Sequence, residues 1–137
     1  LEARRQAVTA ENGAALLIEL QATGSALGVY YLMRDEDIEA LAPLPYNMIA
    51  SDSSVVTQAD GGLPHPRNLG TFPRALRRYV VDKPLLSLEE AIRKMTFLPA
   101  RTFGLEGRGV LRPGSFADLV VFDLARVRDL ATYLSPF

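Results

Sequence analysis

The sequence predicts an α/β protein, and three stretches carry that reading. Residues 27–51 run strand, helix, strand within about 25 residues, the rhythm of a parallel βαβ unit. Residues 71–103 then read as consecutive helices. Beyond Gly109 the texture changes to short apolar runs set between Gly107, Gly109, Pro113 and Gly114, which suit short strands joined by turns. That change marks an expected boundary between a first part, residues 1–108, and a return segment, residues 109–137.

Each element has its own signal. Over residues 10–21, Ala14, Leu16, Leu17 and Leu20 fall at helical spacing, and Thr23-Gly24 supplies a stop. "LGVYYLM", residues 27–33, is an unbroken apolar run rich in β-branched and aromatic side chains, as expected of a strand buried on both faces. Residues 35–41 form a short helix whose first-turn carboxylates favour the helix dipole. Pro43 and Pro45 end it, and "YNMIAS" is the next buried strand, with Asp52 standing where its apolar run stops. A loop of roughly a dozen residues follows, and loops that long are usually functional or disordered. Residues 71–81 read as a helix. Ser87-Leu88-Glu89-Glu90 is a capping box opening a helix that runs through Met95. Residues 96–103 make a further short helix with Pro99 near its start, where a missing N–H costs little. Two short strands, residues 110–111 and 117–123, complete the reading.

Composition removes several function classes. Of 137 residues, 48% are hydrophobic and 23% charged, a globular balance. Fifteen basic and sixteen acidic residues leave a net charge of -1 with no run of one sign, so neither a nucleic-acid footprint nor a basic membrane anchor is present. There is no cysteine, which excludes disulfides and thiolate ligands. No apolar stretch approaches the ~18 residues of a transmembrane helix, and the expected location is cytoplasmic. Leu1 begins in mid-pattern, without an initiator Met or signal peptide, and the last ten residues carry no closing element. A fragment is expected.

No familiar catalytic motif is complete. H-x-H, H-E-x-x-H, G-x-G-x-x-G and the P-loop are all missing, and one histidine cannot complete a usual zinc site. What remains lies in residues 48–74, "MIASDSSVVTQADGGLPHPRNLGTFPR". Asp52 sits at the carboxyl end of an expected strand, where catalysts gather in α/β sheets and barrels, although an aspartate there also serves as a cap or turn former. Arg67, in a proline-framed loop, has a rigid fork of donors that suits a carboxylate, or else a salt bridge that pins the loop. His65, between Pro64 and Pro66, reads as a ligand or base, or as a structural hydrogen-bonder. Met33 reads as a pocket-lining or a core methionine.

Three stretches together are more specific than any of these residues. "MIASD", "GLPHPRNLGTFPRALRRYV" and "LSLEEAIRKMTFLPARTFGLEGRGVLRPGSFADLVVFD" closely resemble the carboxyl-terminal third of N-acyl-D-amino-acid deacylases, the D-aminoacylase branch of the amidohydrolase superfamily. The resemblance covers residues 8–123. "ADLVVFD" alone marks only the superfamily, whereas "PHPRxxGTFPR" narrows it to this branch.

The resemblance implies a (β/α)8 barrel with metal at its carboxyl-terminal face and a small β-sandwich built from both chain ends. Residues 27–33 would be strand seven and residues 48–51 strand eight. Asp52 would match the family's catalytic aspartate, which takes a proton from metal-bound water and passes it to the leaving nitrogen. Arg67 would match the arginine that binds the substrate's α-carboxylate, and Met33 a position lining the pocket. The cofactor so implied is zinc, and its histidine and cysteine ligands come from earlier strands, expected outside this chain. One departure stands out: after the aspartate, family members usually continue with glycine, whereas this chain reads "SSVVTQADGG".

The implied partner is a small N-acyl-D-amino acid. Because two barrel strands cannot close a sheet, the rest of a barrel or further copies of the chain are implied as well. The reading that competes is a truncated, non-catalytic unit that assembles as an oligomer. Another amidohydrolase, hydantoinase-like or dihydroorotase-like, would share the "ADLVVFD" return but lack the PHPR arginine.

Overall fold

The computed structural model describes residues 10–24, 33–61 and 63–137. It divides into two units, Leu1–Met33 and Arg34–Phe137. In the first, helix α1 spans Ala10–Thr23. Its end is closed by the Thr23 hydroxyl, which donates to the Glu19 carbonyl at 2.9 Å, as the Thr-Gly stop predicts.

The second unit contains helices α2 (Asp35–Leu41), α3 (Arg67–Leu76), α4 (Leu88–Met95) and α5 (Phe97–Thr102). Three of these follow the sequence closely. Asp35, Glu36 and Asp37 occupy the first turn of α2. The Ser87 hydroxyl caps α4 by accepting the Glu90 N–H at 3.1 Å. Pro99 lies in the first turn of α5.

Helix α3 departs from its expected bounds. It begins at Arg67, four residues before the expected start at Thr71, and so carries Pro73 in its interior. Pro66 is already in helical conformation, at φ -52° and ψ -25°, and seeds the first turn. Past Leu76 the chain widens into a π-helical turn, Arg77–Asp82. The Tyr79 carbonyl then accepts the N–H groups of both Leu85 and Leu86 at 3.0 Å, which turns the chain toward α4.

The expected strands find no counterpart among the described residues. No β-strand occurs among the described residues. Residues 27–32 lie outside them. Residues 48–51, 110–111 and 117–123 are described, and none belongs to a ladder. A strand is defined by its neighbour, and an apolar run supplies only one half of the pair. Val121, in the run expected to be a short strand, is 99% exposed.

The core is small. Leu76, Leu86 and Ala91 form its centre, joining α3 to α4, with Ile49, Tyr79, Ile92, Met95, Leu124 and Val127 packed around them. The largest side chain to be fully buried is Lys94 of α4, at 0% exposure. Its ammonium donates to the Leu44 carbonyl and to the Asn47 carbonyl at 3.1 Å, with Glu90 Oε1 at 3.6 Å. Arg93 adds a bond to the Pro45 carbonyl at 2.7 Å, and the Ile49 N–H donates to the Lys94 carbonyl at 3.2 Å. The segment that leads to Asp52 is therefore fastened to α4 at four successive points. Gly109 is held on the same helix end: at φ +75°, a Cβ there would meet the Thr96 carbonyl oxygen at 2.7 Å.

This arrangement predicts the effect of Lys94→Met, which keeps the aliphatic stem but strips two part-buried carbonyls of their donor. The loss is expected to be about 1 to 3 kcal/mol, read as a lower urea midpoint at unchanged slope. A midpoint equal to that of the native protein would show that those carbonyls find other donors.

Candidate functional site

Asp52 ends the fastened segment and is the only non-glycine residue among those described with positive φ, at +49°. Asp and Asn tolerate this left-handed conformation better than other side chains, because their short polar groups bond locally. The turn swings the chain into the long loop. That loop is ordered by its own polar groups: the Asp60 carboxylate accepts the N–H and hydroxyl of Thr57 at 2.6 and 2.7 Å around a 3-10 turn, Gln58–Asp60. These bonds, the backbone one first, hold the Asp60 carboxyl below its usual range. Asn68 ties the far side by donating to the Ser54 carbonyl at 3.2 Å.

Two of the three expected site residues are brought together. Arg67 Nη1 lies 3.1 Å from Asp52 Oδ2. Both remain open to solvent, Asp52 at 89% and Arg67 at 44% side-chain exposure. An exposed pair of this kind is weak and exchanges readily, and a guanidinium with five N–H groups keeps donors free for a second carboxylate. Met33, 74% exposed, ends the other unit.

His65 completes the local network. Its Nδ1 accepts the Arg67 backbone N–H at 3.0 Å, and its Nε2 stands 3.4 Å from the Tyr133 hydroxyl. The two rings meet edge to face at 5.1 Å. Burial lowers the His65 pKa below 6.5, the Arg67 charge lowers it further, and the Asp52 carboxylate opposes both. A pocket of about 260 Å³ opens beside these groups, lined by His65, Arg67, Gly70, Arg74, Asp129 and Tyr133. Asp129 lies close over Gly70: a Cβ there would stand 2.4 Å from Asp129 Oδ1, so that side chain would have to shift.

Sequence reasoning missed Asp129, Tyr133 and Asn68. For Tyr133 no sequence signal was available, since it meets His65 across 68 positions. Asn68 was detectable as the polar residue after Arg67 in the quoted motif. Among the described residues no group of three or more His, Cys, Asp or Glu stands where it could hold a metal ion. With one histidine and no cysteine in the whole sequence, the residues present do not compose a zinc centre.

Residues 31–133 match the model of the amidohydrolase family. The chain belongs to that family. It is 44% identical over 132 residues to a D-aminoacylase of Alcaligenes xylosoxydans xylosoxydans, a match covering 94% of this chain and 26% of the relative. Among solved structures it superposes on an N-acyl-D-glutamate deacylase of Bordetella bronchiseptica, complexed with zinc and a phosphonate inhibitor that mimics the tetrahedral intermediate. There the TM-score is 0.68 at 43% identity, over 76% of this chain and 21% of that one. A D-aminoacylase with a binuclear metal centre gives a TM-score of 0.70 at 45% identity, over 78% and 22%. The chain thus spans about a fifth to a quarter of the length of these relatives. Among the described residues no helix is long and apolar enough to cross a membrane.

The lowered His65 pKa has a defined sign. Since the folded value lies below 6.5, the unfolded chain binds the proton more readily. The contribution to stability is therefore full above pH 6.5 and is lost as pH falls through the folded value. Nitrogen-15 NMR of this sole histidine is expected to show an Nε2–H tautomer in the neutral form and a midpoint below 6.5. An Nδ1–H tautomer or a raised midpoint would contradict the network.

Proposed function

We propose that the chain supplies the carboxyl-terminal portion of a metal-dependent N-acyl-D-amino-acid deacylase, an enzyme that hydrolyses the amide to a carboxylate and a D-amino acid. The observation that carries this is the pairing of Asp52 with Arg67 at 3.1 Å, in a chain 44% identical to a D-aminoacylase. One group moves a proton and the other recognises a carboxylate, and an N-acyl amino acid needs both within a few ångströms.

In this reading Arg67 holds the substrate's α-carboxylate with the donors that Asp52 leaves free. Asp52 takes a proton from the water that attacks the amide carbonyl and returns it to the nitrogen as the C–N bond breaks. Residues 1–108 belong to the carboxyl-terminal part of a (β/α)8 barrel, and residues 109–137 return to a small sandwich. Met33 lines the acyl-amino-acid pocket. Zinc, present in the Bordetella bronchiseptica deacylase, is held by ligands outside this chain.

Asp52→Asn is the informative change at that position, because asparagine also accepts the left-handed backbone; it removes the proton carrier together with the charge that pairs with Arg67. In the full-length enzyme kcat is expected to fall by roughly 10² to 10⁴. A kcat within threefold of the native value would reduce Asp52 to a turn former.

Arg67 is tested through its substrate. Arg67→Ala is expected to cost about 2 to 5 kcal/mol with an N-acyl-D-amino acid, much of it as a higher KM. Arg67→Lys recovers only part, since an ammonium keeps the charge but not two parallel hydrogen bonds. The matching carboxamide, which lacks the carboxylate, should lose little further activity. Acid and amide measured in both proteins form a double-mutant cycle, and a coupling near zero would mean that Arg67 only braces the loop.

A further inference from the structure

We propose that His65 is the positioning residue for Arg67: its ring spans the gap between the first turn of α3 and Tyr133 and sets the direction in which the guanidinium leaves the backbone. The inference rests on the reading of Arg67 as the carboxylate-binding residue.

The geometry is specific about which ring nitrogen matters. Nδ1 accepts the Arg67 N–H at 3.0 Å, so in the neutral ring the proton sits on Nε2. That N–H belongs to the first turn of α3, where no intrahelical carbonyl can reach it. His65 also precedes Pro66, which disfavours helical conformation at residue 65 and biases it toward an extended backbone. An extended residue whose side-chain acceptor reaches the N–H two positions on is the arrangement that asparagine and aspartate use in local turns.

The opposite edge of the ring is held by the chain's last residues. Nε2 lies 3.4 Å from the Tyr133 hydroxyl, and Tyr133 meets the ring edge to face at 5.1 Å and 83°. The segment carrying Tyr133 is fixed in turn on α3. Asp129 sits directly over Gly70, accepts the Ala131 N–H at 3.0 Å and faces Arg74 at 3.7 Å. Arg67 is thus held at its backbone by His65 and at its guanidinium by Asp52. Removing the first hold leaves the side chain only an exposed, exchangeable partner. The lowered pKa of His65 accords with this role, since only the neutral ring can accept at Nδ1.

The test compares His65→Asn with His65→Gln in the full-length enzyme, beside His65→Ala and Arg67→Ala. Asparagine places an oxygen near the position of Nδ1, glutamine near that of Nε2. The substrates are an N-acetyl-D-amino acid and its carboxamide. With His65→Ala and His65→Gln, KM for the acid is expected to rise roughly three- to tenfold, with kcat and the carboxamide reaction little changed. His65→Asn is expected to restore KM to within about twofold. Thermal melting of each variant identifies any that fail to fold; the Asn and Gln pair decides the matter if His65→Ala does. Rescue by glutamine and not asparagine overturns the inference, as does an equal fall for acid and carboxamide. If Arg67→Ala separates the two substrates while the His65 variants do not, the inference fails and the reading of Arg67 stands. If Arg67→Ala fails to separate them, that reading falls, and the role of His65 with it.

Discussion

The architecture around the site depends on one buried ammonium. Lys94 has no solvent exposure, and its charge is met by the carbonyls of Leu44 and Asn47 with Glu90 close by. A buried charge is tolerated only when nearly every donor finds an acceptor. That requirement runs in both directions. It makes the 44–47 segment, which has no regular structure of its own, as well defined as the helix it lies on. With Arg93 on the Pro45 carbonyl and Ile49 bonded to the Lys94 backbone, the chain is led to Asp52 along a fixed track.

Beyond Asp52 the chain has a different character. The loop there is held by single polar contacts, Thr57 to Asp60, Asn68 to Ser54 and His65 to Arg67, and packs few apolar groups. Its side chains stay exposed, and its ion pair is of the exchangeable kind. A rigid base and an adaptable loop are the usual division of labour where a small polar substrate must enter and leave. The positive φ of Asp52 stands at the junction of the two.

The exposed apolar residues near the carboxyl end have a related explanation. Val120, Val121 and Leu111 are 84%, 99% and 84% exposed in short apolar runs that suit strands. The chain covers about a quarter of the D-aminoacylase it resembles, and a sheet needs neighbours that a quarter of a sequence does not have to contain. The apolar runs were legible in the sequence, while any ladder that would pair them lies beyond local sequence.

Some features were decided within a few residues. The Ser87 cap, the acidic first turn of α2, the stop at Thr23 and the place of Pro99 depend on near neighbours in the chain, and the sequence was sufficient for each. The amidohydrolase family was readable too, because motif identity does not depend on folding. The start of α3 escapes a local reading because Pro73 resembles a first-turn proline, while Pro66 has already seeded the helix. Other features belong to the tertiary structure alone. That Lys94 is buried, that Asp129 lies over Gly70, and that Tyr133 closes on His65 are consequences of segments tens of residues apart meeting in space. Residue type and spacing determine what a side chain can do; only the packed chain decides which partner it meets, because burial and hydrogen-bond satisfaction are settled over the whole unit at once.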